Sequence, residues 1–194
     1  MSRTISFRPS ATSNTPRSKP SILVIMGVSG SGKTTIGQLL STELICSFID
    51  GDDFHPPMNI KKMSSGEALT DEDRWPWLEI LAGKIQEYIQ QEQSMVLACS
   101  ALKKSYREIL CVNSKLVQFI YLKGNYATIL RRIHSRENHF MTKSLLQSQF
   151  ATLEEPEDAI VVDISPPPLE ILKSIRELLQ SKASPEIKSI IDRF

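Results

Sequence analysis

Eight consecutive residues constrain this chain more than any others. Gly27-Val28-Ser29-Gly30-Ser31-Gly32-Lys33-Thr34 fills the pattern G-x-x-x-x-G-K-[ST] without a mismatch. An apolar run, Ile22-Leu23-Val24-Ile25-Met26, precedes it and reads as a buried strand. A helical pattern from Lys33 to Leu44 follows, with Ile36, Leu39, Leu40 and Leu44 on one face. Strand, glycine loop and helix start form the context in which this pattern binds phosphate. Glycines let backbone N–H groups turn inward around an anion, and the helix N-terminus adds unpaired donors and partial positive charge. Lys33 is placed to reach the outer phosphates, the Thr34 hydroxyl to ligate Mg²⁺, and Thr35 to extend the nucleotide-binding segment. The expected ligand is a nucleoside triphosphate. The loop alone does not say which reaction uses it.

Strand-like runs and helical patterns alternate along the rest of the chain. Strands are expected at Ser47 to Asp50, Met95 to Cys99, Leu116 to Leu122 and Ala159 to Asp163. Helices are expected over His55 to Gly66, Trp75 to Gln90, Lys103 to Leu110, Tyr126 to Arg136, Leu145 to Thr152 and Leu169 to Gln180. This alternation predicts an α/β fold, a mainly parallel sheet with helices on both faces. Ligands then collect at the C-terminal ends of the strands. That rule gathers the glycine loop, Asp50 to Asp53, Ser100 to Lys104 and Lys123-Gly124 on one edge.

With 194 residues the chain is expected to form one domain. A net charge of +1 gives no reason to expect nucleic acid as a partner. No apolar run is long enough to span a bilayer. Cys46, Cys99 and Cys111 are scattered without metal or disulfide spacing, which suits a reducing compartment. Cys46 and Cys99 read as small core residues rather than nucleophiles. Residues 1–20 are rich in Ser, Thr and Pro, carry four basic side chains and no acid. They read as a disordered tail in a cytoplasmic protein, with an organelle transit peptide as the other reading.

Asp50 and Asp52 follow the second strand and share a side if the backbone stays extended. One carboxylate there can hold Mg²⁺ and the other accept a proton from an attacking hydroxyl. A solvated turn or helix cap is the competing reading. The third strand ends in Cys99-Ser100 rather than in the metal-binding Asp common in motor ATPases, and no N-K-x-D stretch marks a guanine-specific switch. Both absences favour a small phosphotransferase. Arg74 suits either a substrate carboxylate or a structural ion pair. Arg131, Arg132 and Arg136 share one helix with His134 and His139 near them. They form either a solvated basic face or a mobile lid whose arginines close over the transferring phosphate.

Taken together, these segments resemble the gluconokinases of the shikimate-kinase-like branch of phosphate-loop kinases. The likeness rests on Met26 to Lys33, Asp50-Gly51-Asp52 with His55-Pro56 and Asn59, and Lys62-Met63 with Gly66 and Leu69. It continues through Asp71, Asp73-Arg74, Pro76-Trp77-Leu78, Cys99 to Lys104 with Tyr106-Arg107, His139-Phe140, Gln149-Phe150 and Thr152-Leu153. The resemblance implies a five-stranded parallel sheet with a helical lid, commonly a homodimer, spanning residues 21–182 with an extension at 183–194. It implies ATP- and Mg²⁺-dependent phosphorylation of D-gluconate to 6-phospho-D-gluconate, feeding the pentose phosphate route. By the same resemblance Asp52 meets the acceptor hydroxyl, and Asp50 with Thr34 serves the metal. Arg74, His55, His139 and one of Lys103 and Lys104 face substrate, and Lys33, Arg132 and Arg136 stabilise the transferring group. The chain departs from the pattern at Ala68, Thr70, Asn138 and Ala151. A kinase of another small hydroxy acid, or a nucleotide-binding sensor without turnover, fits the spacing alone.

Overall fold

The computed structural model describes residues 19–134 and 142–191. Five strands, β1 (Ile22–Met26), β2 (Ser47–Asp50), β3 (Met95–Ala98), β4 (Val117–Lys123) and β5 (Ile160–Asp163), form one sheet in the order β2-β3-β1-β4-β5. Every pairing is parallel. Helices α1 (Lys33–Glu43), α2 (Pro57–Ser64), α3 (Asp71–Gln90), α4 (Lys104–Leu110), α5 (Tyr126–His134), α6 (Lys143–Thr152), α7 (Pro168–Lys182) and α8 (Pro185–Ile191) connect and cover it.

The central strand shows why the chain layers this way. Ile22, Val24 and Met26 pack with Trp77, Leu78, Leu81 and Ile85 of α3 on one face. Leu23 and Ile25 pack with Ile36 and Leu40 of α1 and with Ile171 and Ile175 of α7 on the other. A strand buried on both faces must be apolar at every position, which is the run seen in the sequence. Each such side chain contributes roughly 1.5–3 kcal/mol on burial. Because β1 lies between β3 and β4, the chain leaves it toward one side of the sheet and later returns to the other. The crevice at the C-terminal end of β1 is therefore the switch point where ligands bind in such sheets, and it carries the glycine loop.

Strand positions agree with the expected runs to within a residue or so at each end. The third helix begins earlier than Trp75. Thr70 caps it through its hydroxyl while the Asp73 carboxylate accepts the Thr70 N–H, a reciprocal capping box. Pro76 consequently lies inside the helix. The departure from the family pattern at Thr70 thus keeps a residue type favoured at this position. Helix α8 has no counterpart among the expected helices. Ser184 caps it, Ile187 is 1% exposed in the core beside Leu179 and Ala183, and the Ser21 hydroxyl donates to the Glu186 carbonyl at 3.3 Å. No described helix is long and apolar enough to cross a membrane.

Candidate active site

The glycine loop turns at residues with left-handed backbone. Gly32 caps α1 at φ 101°, with nothing within 4 Å of where a Cβ would stand. At Gly30, φ is 81° and a Cβ would meet Ile133 of α5 at 2.9 Å. Only glycine fits such a cradle without strain. Lys33 Nζ folds over the loop and donates to the Val28 carbonyl at 3.2 Å. The Ser31 hydroxyl is buried with no hydrogen-bond partner among the described residues. Polar atoms in this state are rare in native interiors, and an incoming phosphate oxygen is the kind of group that satisfies them.

The two carboxylates after β2 part company. The backbone leaves the extended state at Gly51 and winds a 3₁₀ turn over Gly51–Phe54. Alternation therefore fails, and the shared side expected for Asp50 and Asp52 is not observed. Asp50 caps the turn, accepting the Asp52 N–H at 3.2 Å, and also accepts the Thr34 hydroxyl at 2.8 Å. Thr34 and Asp50 line a cavity of about 460 Å³ with Asp53 and Gln38. A hydroxyl and a carboxylate in contact at the start of α1 form the oxygen donor set that Mg²⁺ prefers.

Asp52 faces a second cavity, of about 140 Å³, bordered by Ser29 and Lys33 of the loop and by His55, Arg74, Trp77, Ser100 and Gln149. His55 Nε2 lies 3.9 Å from Asp52 Oδ1. The imidazole stacks on Trp77, with ring centroids 4.1 Å apart and planes 17° apart. Burial pushes the His55 pKa below its ordinary value; Asp52 opposes that shift and Arg74 reinforces it. An imidazole so placed is neutral at pH 7.

Arg74 borders this cavity from α3. Its Nη1 donates to the Tyr106 hydroxyl at 3.4 Å and lies 3.9 Å from Asp71. Asp71 gathers the cluster, accepting Lys103 Nζ at 2.7 and 2.9 Å and the Tyr106 hydroxyl at 2.5 Å. These hydrogen bonds, Lys103 first and Tyr106 second, hold the Asp71 carboxyl below the usual range. Lys103 thus pairs with Asp71 and is not among the residues lining the cavity. Lys104 turns elsewhere, lining a separate cavity with Arg107, Glu108 and Glu154, and its N–H donates to Glu154 at 2.6 Å. Arg132 donates to the Ile164 carbonyl beyond β5. Arg136 and His139 lie outside the described residues.

Spacing gives no sign of three neighbours that matter here. Gln149 of α6 accepts the Ser29 N–H of the loop at 2.6 Å. Trp77 donates from its indole to the Gly51 carbonyl at 2.7 Å. Tyr106 supplies the hydroxyl that links Asp71 to Arg74. The motifs that carry the resemblance contain all three, but only tertiary contact reveals what they touch. Cys99 is fully buried and its thiol pushed up to about 12, and burial raises Cys46 to about 11. Neither is a nucleophile at neutral pH.

Known proteins resemble this chain in sequence and fold. The family model for shikimate kinase matches residues 29–166. A thermosensitive gluconokinase of Escherichia coli (strain K12) is 48% identical over 146 residues, covering 73% of this chain and 78% of its own. A gluconokinase of Arabidopsis thaliana is 41% identical over 179 residues, covering 84% and 95%. The crystal structure of a gluconokinase from Sinorhizobium meliloti 1021 superposes with a TM-score of 0.73 at 39% identity, covering 91% of this chain and 94% of that one. With a glycine cradle, a carboxylate cavity beside it and relatives of this identity over most of its length, the chain belongs to the gluconokinases of the shikimate kinase family.

Proposed function

We propose that this protein is an ATP:D-gluconate phosphotransferase that forms 6-phospho-D-gluconate. The observation that carries this reading is the single cavity where Ser29 and Lys33 of the phosphate loop meet Asp52, His55 and Arg74. A donor phosphate on the loop and an acceptor hydroxyl at Asp52 would be neighbours there.

In the reaction the bond from the γ-phosphorus to the ADP oxygen breaks, and a new bond forms to the terminal hydroxyl oxygen of gluconate. Asp52 accepts the hydroxyl proton. Lys33 and the loop N–H groups stabilise the charge on the transferring group. Arg74 is suited to the gluconate carboxylate, since a guanidinium pairs with a carboxylate through two parallel hydrogen bonds. The Asp71–Tyr106 contacts fix its orientation. Thr34 and Asp50 would hold Mg²⁺, which supplies charge neutralisation between the phosphates. By the resemblance Arg132 and Arg136 stabilise the transferring phosphoryl group and His139 faces substrate; Arg136 and His139 lie outside the described residues.

Turnover of a sugar-acid panel with ATP, read as ADP release, tests the assignment. Gluconate-dependent ADP release with 6-phosphogluconate as product supports it. Turnover of shikimate in place of gluconate would move the substrate to another small hydroxy acid. Nucleotide binding without any turnover would make the protein a sensor.

A further inference from the structure

The indole of Trp77 makes two contacts that burial alone does not require. Its N–H donates to the Gly51 carbonyl, the peptide between Asp50 and Asp52, at 2.7 Å. Its ring lies against the His55 imidazole. Gly51 itself sits hard on β3, where a Cβ would stand 2.7 Å from the Ala98 carbonyl. One side chain, 1% exposed, therefore pins both the turn that carries Asp52 and the ring that faces it.

The His55 ring is asymmetric in its surroundings. Its side chain is 6% exposed and Nε2 faces Asp52 Oδ1. Nδ1 is buried and has no hydrogen-bond partner among the described residues. An orphaned buried N–H is rarer in proteins than an under-used acceptor. The ring therefore keeps its lone pair at Nδ1 and its single proton at Nε2, toward the carboxylate. Burial and, less strongly, the Arg74 guanidinium disfavour a second proton on the ring, against the opposing pull of the Asp52 carboxylate.

We propose that His55, clamped by Trp77, is a positioning residue that donates from neutral Nε2–H to Asp52 and so orients the carboxylate toward the acceptor hydroxyl. One oxygen of Asp52 accepts the hydrogen bond from Nε2–H, which stays on the ring; the other is left to receive the proton of the substrate. The 3.9 Å separation is longer than a hydrogen bond. Catalytic hydrogen bonds commonly run long in unliganded structures and tighten once substrate is bound. The proposal rests on the reading of Asp52 as proton acceptor.

Two measurements test it separately. The chain has three histidines, so ¹⁵N NMR of labelled full-length protein, assigned with His55→Gln, reads the tautomer directly. The expected result at pH 7 is a neutral ring protonated at Nε2; protonation at Nδ1 or an imidazolium overturns the proposal. That readout needs no turnover, so it stands even if gluconate proves not to be the substrate. Kinetics on the substrate that is turned over give the second arm. Glutamine places an amide N–H where Nε2 stands, whereas asparagine places it near Nδ1. His55→Asn is expected to lower kcat about 10- to 100-fold with little change in the KM for ATP, and His55→Gln to recover most of that loss. Trp77→Phe keeps the ring contact and removes the indole donor; kcat is expected to fall while KM for ATP holds. Equal losses in His55→Gln and His55→Asn overturn the proposal, because an amide N–H restored at the Nε2 place would then contribute nothing.

Discussion

Removing the Asp71 carboxylate should destabilise the protein through Tyr106 more than through Lys103. Tyr106 is 2% exposed and its hydroxyl donates to Asp71, while Arg74 Nη1 is a donor facing the same oxygen. In Asp71→Ala the hydroxyl proton loses its acceptor, and a buried donor left unmade costs about 1–3 kcal/mol. The Lys103 pair is about one-third exposed on both sides and adds no more than about 0.5–1 kcal/mol. Asp71 also opens α3, where a first-turn acid contributes about 0.3–1 kcal/mol against the helix dipole. The expected total is about 2–5 kcal/mol, or a fall in Tm of roughly 4–20 °C for a domain of this size. Asp71→Asn keeps a carbonyl oxygen for Tyr106 and should cost about half as much. Thermal and urea unfolding of both variants, with Tyr106→Phe and the double mutant, measure this. A cycle in which Asp71→Ala and Tyr106→Phe add within about 0.3 kcal/mol refutes the reasoning, since the two side chains are in contact.

Further outcomes follow from the same contacts. Thr70→Ala removes the capping box of α3 and should cost about 1 kcal/mol in urea unfolding, with Thr70→Asn close to neutral. Hydrogen bonds from Lys103 and Lys62 hold the Asp71 and Asp73 pKa values below their ordinary range. Groups depressed on folding stabilise fully above the unfolded pKa near about 4 and lose that contribution as pH falls through the folded value. Asp73→Asn should therefore flatten the acid limb of a stability–pH curve and leave its shape above pH ~5 unchanged. Gly30→Ala places a Cβ against Ile133 in a left-handed backbone and should abolish nucleotide binding in calorimetry while the protein stays folded.

Much of the fold was legible because its strands are buried on both faces. The continuous apolar run at Ile22 to Met26 needs no tertiary information to be read as a central strand, and the glycine pattern after it names its own loop. Helix α8 was harder: seven residues carry too few periods, and only the Ser184-Pro185-Glu186 start, a cap followed by proline and an acid, signals it. The candidate site was legible as residue types but not as geometry. Asp50 and Asp52 were identifiable, yet their division between two cavities depends on a 3₁₀ turn that alternation cannot foresee. Lys103 and Lys104 are neighbours in sequence and part in space because one caps α4 from an extended backbone and the other begins the helix. Trp77 is core, 1% exposed, and its hydrogen bond to Gly51 belongs to the tertiary structure alone.

The most direct test of the proposed activity pairs wild type with Asp52→Asn in a coupled assay of ATP and D-gluconate. The account predicts gluconate-dependent ADP release by the wild type. It predicts a kcat roughly 10²–10⁴-fold lower in Asp52→Asn, with ATP affinity retained. Absence of gluconate turnover in the wild type would contradict the substrate, and near-full activity in Asp52→Asn would contradict the placement of the base.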